Sequence, residues 1–569
     1  MDDRVLVIPE HRIGHGSGHL RRCLELTRGI LAGGSTVVEW LLPEHPPQGW
    51  HSRKDAMALL GEEVAGVIWR DVPQGRYRQI LVDRREMSLS EIRDLPEVEL
   101  LVGFDAAGDL RRYADCVIDL LPTAPGVTPP NIADPGLLSL PGRVRDQWPQ
   151  SPSRVLVVMG GEDRDGAALE AAAAVKFILP ESSEVTVVLH TPDPSLSPGI
   201  TVRKPGAGLR ETLHQYDLVV THYGLVTWEA LWARVPVVTV NPGRYHQLLS
   251  DAAGLAGLSA VRDFPALVKR CVALRPAART DPAALLGAFR RPAVVGSPLH
   301  THRWHPALER FPDRTYFRDS TTGLVYMSLF SGKEMSYGHD YFFEEYRRQY
   351  GRTYVDDFDA IAATGRRRIA DILSVATPRD PPLHLLDMGC AFGPFLAAAR
   401  EAGCTVQGMD LNEEAVAYVR RELGIDAWQG DLTTLDAGEF HHRPDIVTMW
   451  YVIEHVPDLQ DLLRRLRDIL APGGIFAFST PHGAGISARR DRRRFLENSP
   501  RDHFSVWDRR SALVVLRDSG FRVRRIRVTG HHPERFSSRF PRWVRPLLLI
   551  WSRIAGLGDT FEVIAERVE

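Results

Sequence analysis

A short apolar segment that runs straight into a glycine-rich turn is the feature that most constrains the fold of this 569-residue chain. Residues 384–388, HLLDM, predict a buried β-strand, and residues 389–393, GCAFG, predict a tight turn. Pro394 predicts the start of a helix, because proline fits the first helical turn. A second apolar segment ends 23 residues after Asp387, in Asp410. This order is typical of a βαβ nucleotide-binding unit, in which glycines let the backbone approach a ligand and the second acid accepts ribose hydroxyls.

The acid at the end of the first strand narrows the choice of ligand. A dinucleotide site places glycines and a helix N-terminus around a pyrophosphate, and the carboxylate of Asp387 would repel that phosphate. Asp387 suits a cationic or neutral ligand instead, such as the amino group of S-adenosylmethionine (SAM). Asp431 follows a third apolar run and is expected to hydrogen-bond the adenine amino group.

Further motifs follow in the same region. Residues 444–451 predict a fourth strand, residues 462–470 carry apolar side chains at helical spacing, and residues 472–479 predict a turn and a closing strand. With these motifs in this order, residues from about 335 to 569 resemble the class I SAM-dependent methyltransferases. The resemblance implies a Rossmann-like domain that uses SAM for methyl transfer. The residues expected to hold SAM are Asp387, Gly389, Cys390, Ala391, Gly393, Asp410, Leu411, Asp431, Leu432 and Tyr451.

One position departs from the family pattern. Ala391 stands where the commonest pattern has a middle glycine, and alanine is small enough to leave cofactor binding intact. The alternative interpretation of the region is a Rossmann-like unit that binds NAD or no nucleotide.

Two histidines, His455 and His503, are candidate general bases, because a neutral histidine can take the proton of a hydroxyl in the transition state. The alternative for each is a residue of the pocket wall, with positioning of the acceptor beside the methylsulfonium supplying the rate. Glu454-His455 is similar to a divalent-metal motif of ubiquinone-type O-methyltransferases, which has another glutamate three residues earlier. Tyr451 stands at that position, so we expect no metal.

The first 290 residues alternate short apolar strands with amphipathic helices twice. One series begins at residues 5–8 and the other at 154–161, and a stretch rich in proline and glycine at 122–153 separates them. Strands that alternate with helices predict parallel sheets, and two such units joined by a hinge leave a cleft for ligands. The predicted domains are residues 1–135, residues 136–290, a linker with a short β excursion at 291–335, and residues 336–569.

Glycine-rich turns mark three places in this half of the chain. His19 follows the loop 14–18 at the expected start of a helix, where the helix dipole favours a neutral imidazole. Gly224 opens a second turn, whose helix N-terminus suits a diphosphate, and Glu229 is placed one turn later to accept ribose hydroxyls. Gly160-Gly161 opens the third turn.

Together these motifs resemble the GT-B glycosyltransferases. Over residues 1–250 the chain looks most like the UDP-sugar hydrolase of pseudaminic acid synthesis, which shares a G-x-G-H-x-x-R loop and a late glycine–Thr–x–Glu turn. The resemblance implies two Rossmann-like domains that bind a UDP-linked nucleotide-sugar, with His19 as catalytic base. His246 stands near where the family has asparagine, which leaves the donor sugar open. The residues implied to hold the nucleotide-sugar are Gly18, Gly160, Gly161, Gly224, Thr227 and Glu229.

Two segments near the end of the chain allow alternative interpretations. The arginine run at 489–494 suits a phosphorylated acceptor or a solvated loop. Residues 543–551 are rich in tryptophan and leucine and have arginines on both sides. They predict either a helix at a membrane interface or a helix packed on the sheet before the final strand at 560–565.

Composition limits the partners and the compartment. The net charge of −2 creates no global field toward nucleic acid or membrane. The five cysteines form no C-x-x-C pair, the N-terminus lacks the apolar core of a signal peptide, and no apolar run approaches the roughly 20 residues of a membrane span. We therefore expect a cytoplasmic protein.

The motifs combined predict an α/β protein in which a GT-B-like pair of Rossmann-like domains precedes a class I methyltransferase. The predicted role is O-methylation of a sugar or glycan in surface polysaccharide synthesis, with a nucleotide-sugar and a glycan acceptor as partners. One alternative is a UDP-sugar hydrolase or glycosyltransferase fused to an independent methyltransferase. The other is a methyltransferase with an inactive glycan-binding module in which His19 only caps a helix.

Overall fold

The chain divides into two compact units in the computed structural model. The first unit comprises residues 1–292 and 310–313, and the second comprises residues 293–309 and 314–569. The boundaries predicted at 135, 290 and 335 stay predictions. The structure describes residues 4–568 except 14–17, 33, 35, 61–65, 85, 123–126, 139, 160–165, 190–198, 205–207, 242, 282–283, 285–286, 288–295, 301–303, 331–355, 378–381, 432–441 and 537–541.

The first sheet of the first unit has seven parallel strands in the order β3-β2-β1-β4-β5-β6-β7. The strand at residues 5–8 is buried along its whole length, as expected for a parallel strand covered on both faces. The strand order reverses between β1 and β4, which is where open α/β sheets bind ligands. The strands are β1 (Arg4–Pro9), β2 (Val37–Leu41), β3 (Val67–Arg70), β4 (Tyr77–Asp83), β5 (Val98–Phe104), β6 (Cys116–Asp119) and β7 (Ile132–Ala133).

The second sheet of the first unit has five parallel strands in the order β10-β9-β8-β11-β12. The two Rossmann-like parallel sheets predicted for this half of the chain are confirmed, while the GT-B arrangement stays a prediction. The strands are β8 (Arg154–Val158), β9 (Glu184–Val188), β10 (Ile200–Arg203), β11 (Leu218–Thr221) and β12 (Val237–Thr239). The α-helices of the unit are Gly18–Ala32, Arg53–Leu60, Leu89–Arg93, Gly108–Tyr113, Ala167–Ile178, Leu209–Thr212, Leu225–Trp232, Arg244–Ala252 and Phe264–Leu274.

The second unit contains strands β14 (Arg314–Arg318) and β15 (Val325–Leu329). Strand β13 (Ala307–Phe311) is divided, because its last two residues are assigned to the first unit. Strands β14 and β15 pair antiparallel, and they match the short β excursion predicted from the sequence. A two-residue strand β21 (Ser505–Val506) pairs with β15. This pairing holds the segment that contains His503 against the small sheet.

The main sheet of the second unit has the order β18-β17-β16-β19-β20-β23-β22. The first five strands run parallel, and β23 and β22 add antiparallel at one edge. The carboxyl ends of β16, β17 and β19 therefore meet at one edge, next to the strand-order reversal. The strands are β16 (His384–Met388), β17 (Thr405–Asp410), β18 (Asp426–Gln429), β19 (Ile446–Trp450), β20 (Ile475–Pro481), β22 (Phe521–Thr529) and β23 (Thr560–Arg567).

Helices cover both faces of this sheet and complete its apolar core. Leu462, Leu463 and Leu466 are buried against Phe476 and Phe478 of β20 in one cluster, as their helical spacing predicted. No helix among the described residues is long and apolar enough to cross a membrane. The α-helices of the unit are Phe358–Leu373, Pro394–Glu401, Glu413–Leu423, Leu459–Ile469, Ile486–Arg490, Arg492–Glu497, Arg509–Asp518 and Arg545–Ala555.

Candidate functional site

The turn after β16 has a backbone that only glycine tolerates at one position. Gly389 has φ +76°, and a Cβ added there would lie 2.4 Å from Cγ2 of Val452. Gly393 has φ +78° and precedes the helix that begins at Pro394. The backbone can therefore pass close to a ligand at this edge of the sheet.

Ala391 adopts a positive φ of 46° in the same turn. A non-glycine residue in this region is strained, so the departure from the usual middle glycine has a conformational cost. The backbone N–H of Ala391 donates to Oδ2 of Asp410 at 2.8 Å, and this bond holds the strained turn in place.

Asp410 ends β17 and is almost fully buried. Its Oδ1 accepts the backbone N–H of Asn412 at 2.9 Å, and its Oδ2 accepts that of Ala391. Burial raises the pKa of its carboxyl group, although these backbone bonds oppose the rise. Each oxygen retains lone pairs, so the carboxyl group fits the ribose hydroxyls of a nucleoside.

Asp387 lies near the end of β16 and is 1% exposed. The hydroxyl group of Thr448 donates to its Oδ1 at 2.5 Å. Burial raises the pKa of Asp387 to about 7, with Thr448 and Arg368 opposing the rise. Two buried carboxyl groups at one edge of the sheet fit a ligand with hydroxyls and a cationic group, and they oppose a phosphate.

The other residues predicted for SAM lie in varied surroundings. Leu411 and Tyr451 are half-exposed beside the turn, and Tyr451 has a positive φ of 60°. Cys390 is buried, Asp431 is exposed, and Leu432 lies outside the described residues. The roles predicted for these residues stay predictions.

A second group of polar side chains follows β19. Glu454 and His455 lie in a short 3₁₀ turn, and the backbone N–H of Phe504 donates to the carbonyl of Glu454 at 2.7 Å. This bond brings the predicted bases His455 and His503 together, with ring centroids 4.6 Å apart. Nδ1 of His455 also lies 2.9 Å from Oδ2 of Asp502, which is fully buried.

The surroundings of the two candidate bases, His455 and His503, shift their pKa values in opposite directions. Burial lowers the pKa of His455, but Asp502 and Glu454 outweigh burial and raise it above its usual value. Burial, together with His455, lowers the pKa of His503 to about 3. The raised pKa makes His455 the stronger base of the two, and its role as general base stays a prediction.

Glu454 is 1% exposed, and burial raises the pKa of its carboxyl group to about 7. Ligand atoms of Glu454, His455 and His503 lie within 4.8 Å of one another. The divalent-metal motif considered in the sequence analysis included Glu454 and His455 but not His503. The expected absence of a metal stays a prediction.

Asp502 is the residue of this group that the sequence analysis missed. It immediately precedes His503 in the chain, but it contacts His455, which lies 47 positions earlier. Burying a carboxylate costs folding free energy unless it is paired. The position of Asp502 next to the candidate base His503 was the sequence signal that could have identified it.

His19 in the first unit also has a carboxylate partner. It lies in the first turn of the helix Gly18–Ala32, and its Nδ1 is 2.8 Å from Oδ1 of Asp83 at the end of β4. Arg22 donates to Oδ2 of Asp83 and to Oδ2 of Asp105, both at 2.7 Å. Burial raises the pKa of Asp83, but Arg22 and His19 outweigh burial and hold it well below its usual range.

The turn at Gly224 lies next to the His19 helix within the first unit. A Cβ built on Gly18 would be 3.1 Å from Cδ1 of Leu225, the first residue of the following helix. Thr227 is fully buried and donates its hydroxyl group to the carbonyl of His222 at 3.1 Å. Glu229 is partly exposed, and burial raises its pKa to about 7.

These positions test only part of the predicted nucleotide-sugar site. The juxtaposition of Gly18 with Leu225 brings two of the three glycine-rich motifs together. Because the hydroxyl group of Thr227 is used inside its own turn, only its lone pairs remain for a ligand. Gly160-Gly161 lies outside the described residues, so the third motif stays a prediction.

A family model described as a methyltransferase domain matches residues 361–526. The second unit contains a class I SAM-dependent methyltransferase domain. S-adenosyl-L-methionine is the cofactor of this domain, and the buried pair Asp387 and Asp410 fits it. The match covers the turn, both acids and the cluster around His455.

Two curated relatives of this domain are O-methyltransferases. A malonyl-[acyl-carrier protein] O-methyltransferase of Enterobacter lignolyticus is 29% identical over 136 residues, which are 24% of this chain and 53% of the relative. A ubiquinone biosynthesis O-methyltransferase of Proteus mirabilis is 33% identical over 100 residues, which are 17% of this chain and 41% of the relative. The chain thus spans about half or less of the length of these relatives.

Two solved structures are similar to part of the chain at low identity and low TM-score. A SAM-dependent methyltransferase of Archaeoglobus fulgidus is 16% identical with a TM-score of 0.29, over 39% of this chain and 99% of that chain. The magnesium protoporphyrin IX methyltransferase of Synechocystis, with bound SAH, is 18% identical with a TM-score of 0.29, over 40% of this chain and 97% of that chain.

Proposed function

We propose that this protein transfers the methyl group of SAM to a hydroxyl oxygen of a sugar or glycan. The observation that carries the proposal is the pair formed by His455 and buried Asp502 at the carboxyl edge of the methyltransferase sheet. A sugar hydroxyl has a very high pKa, so a base that accepts its proton during methyl transfer lowers the barrier.

The residues have distinct roles in this reaction. When bound, SAM supplies an electrophilic methyl group on a positively charged sulfur. Asp410 accepts its ribose hydroxyls, and Asp387 faces its cationic methionine end. The acceptor hydroxyl gives its proton to Nε2 of His455, because Nδ1 faces Asp502. Asp502 orients the ring and stabilises the imidazolium that forms.

The sugar acceptor is supported by the motifs of the first unit. His19 is oriented by Asp83, and Gly18, which precedes it, lies against Leu225 at the start of the second turn's helix. This arrangement supports binding of a UDP-linked nucleotide-sugar, with Glu229 receiving the ribose. The protein then builds or decorates a surface glycan that its second unit methylates.

The pair formed by His19 and Asp83 supports a second candidate function. A histidine held by a buried carboxylate is suited to general-base catalysis, so the first unit acts as a UDP-sugar hydrolase or glycosyltransferase beside an independent methyltransferase. The third interpretation, an inactive glycan-binding module, requires no base at that position.

Methyl-labelled SAM tests the main proposal. The full chain is incubated with UDP-sugars or polysaccharides, and label is measured before and after mild alkali, which cleaves methyl esters and leaves methyl ethers intact. We expect alkali-stable label on the sugar, lost in His455→Gln and kept in His384→Gln, a control at the other end of β16. Label removed by alkali would indicate a carboxylate acceptor and contradict the proposal.

UDP release separates the interpretations of the first unit. Release without an acceptor indicates a hydrolase, and release that depends on a glycan acceptor indicates a transferase. A UDP-induced rise in melting temperature without any release indicates a binding module.

A further inference from the structure

The helix Arg545–Ala555 presents an apolar stripe to solvent. Trp543, just before the helix, is 76% exposed, and four apolar residues of the helix are more than half exposed. Their spacing of four, three, one and three positions places them along one helical face. The stripe comprises Trp543, Leu547, Ile550, Trp551 and Ile554.

The opposite face fixes the helix to the second unit. Ser552 is the buried residue of this helix, and its Oγ lies 2.8 Å from Nδ1 of His531. Gly556 ends the helix in a left-handed conformation. The helix is therefore anchored beside the sheet through Ser552 and His531, while its apolar stripe stays exposed.

The charge around the stripe indicates what covers it. Residues 536–558 contain four arginines and no aspartate or glutamate, whereas Arg535 just before them pairs with Asp559. Arg545 and Arg553 are exposed on the helix itself. Arginines beside an apolar face attract anionic lipid headgroups, and tryptophan prefers the boundary between headgroups and acyl chains.

The same charge disfavours a second copy of the chain as the occupant. In a two-fold symmetric dimer the same surface patch is present on both partners. The arginines of one copy would then face those of the other with no acid in the segment to pair with them.

The sheet topology places the helix at the edge that carries the methyl-donor site. Strand β23 begins directly after the helix, and its Thr560 pairs with Pro481 at the carboxyl end of β20. Strand β20 runs parallel to β16 and β17, so this is the edge where Asp387 and Asp410 lie.

We propose that the exposed stripe of residues 543–554 docks the protein onto an anionic lipid bilayer. The helix lies in the plane of the interface, with Ile554 among the acyl chains and Trp543 at their boundary with the headgroups. Arg545 and Arg553 lie among the headgroups. Docking holds the methyl-donor edge of the sheet near the membrane surface. This inference goes beyond the proposed function, because it requires neither SAM nor a particular acceptor.

Vesicle flotation of the full chain tests the proposal. Vesicles of phosphatidylcholine alone are compared with vesicles that also contain phosphatidylglycerol. We expect binding to the anionic vesicles, reduced at least about tenfold in Ile554→Glu and about fivefold for each charge removed in Arg545→Gln and Arg553→Gln. The control is Phe177→Glu, which removes an 88% exposed aromatic ring from the first unit and should bind like the wild type.

The exposed positions allow the variants to be checked for folding. Far-UV circular dichroism melting should be unchanged in Ile554→Glu, because its side chain is 81% exposed. Absent binding to anionic vesicles, or equal binding by Ile554→Glu, would overturn the proposal. A dimer in sedimentation that Ile554→Glu dissociates, without vesicle binding, would assign the stripe to a second copy.

Discussion

Nδ1 of His455 lies 2.9 Å from Oδ2 of Asp502, a carboxylate with no exposed surface. Removing a carboxylate from water is costly unless nearby groups compensate it. The compensation here comes from a partly exposed histidine at the edge of the sheet where the cofactor acids lie. A buried carboxylate beside a histidine, at a cost in folding stability, is an arrangement that active sites often have. The catalytic role of His455 stays a proposal.

Asp502→Asn should lower kcat for methyl transfer by roughly 10²–10⁴ with little change in KM for SAM. Asp502 raises the pKa of His455, so wild-type activity falls as the pH drops through that raised pKa and protonates the base. The asparagine removes the negative charge, and the acid limb of the pH–rate profile should move to lower pH. An unchanged profile would show that Asp502 is only structural.

Asp410→Ala should weaken SAM binding at least tenfold, because it removes a charged acceptor worth about 1.5–3 kcal/mol. Isothermal titration calorimetry on the full chain measures the effect. Glu422→Ala is the control. Glu422 is an exposed acid on the helix that follows β17, and it pairs with the adjacent Arg421. Unchanged SAM affinity in Asp410→Ala would refute the assignment, and binding of NAD would favour a dinucleotide site.

Gly389→Ala should destabilise the second unit by more than about 2 kcal/mol and abolish SAM binding. Two effects of the alanine add to the loss of stability. Its backbone would be held at a positive φ, and its Cβ would lie 2.4 Å from Val452. Gly403→Ala is the matched control, because Gly403 has φ +88° but no atom near the added Cβ. The control should lose only about 1 kcal/mol. The free energy of unfolding is measured by urea denaturation. If Gly389→Ala and Gly403→Ala lose equal amounts, the contact with Val452 is unimportant.

Asp387→Asn should change how stability depends on pH. The folded-state pKa of Asp387 is about 7, above its ordinary value, so between about pH 4 and 7 the folded state binds the proton and the unfolded state does not. Stability of the wild type therefore falls as the pH rises through this window, and the asparagine variant should lack that part of the fall. Melting temperatures of both proteins from pH 4 to 8 measure the difference. Parallel curves would contradict the raised pKa.

His19→Asn should preserve folding and UDP binding but lower UDP release from a UDP-sugar by roughly 10²–10⁴. Asp83→Asn should also lower UDP release, because the imidazole ring of His19 would lose the carboxylate that orients it. It should also cost stability, because it leaves Arg22 with one carboxylate partner fewer. Full activity in His19→Asn would remove the catalytic role and favour a binding module.

Much of the fold was predictable because its signals are local. Runs of branched apolar residues predicted the strands, and glycines and proline predicted the turn at 389–394, since these residues restrict or permit φ without regard to the rest of the chain. The same local chemistry placed Asp387 and Asp410 at strand ends, and parallel strands bring such ends together whatever the intervening sequence.

Contacts between distant positions were decided only by the tertiary structure. Asp502 contacts His455, and Asp83 contacts His19 across 64 positions, because strand pairing and loop packing bring them together. The pattern of residues 543–554 likewise showed an amphipathic helix but not which way its apolar face points. That direction depends on how the helix is anchored, here through Ser552 and His531. Hydrophobic periodicity is a property of the segment, whereas burial and ion pairing are properties of its neighbours.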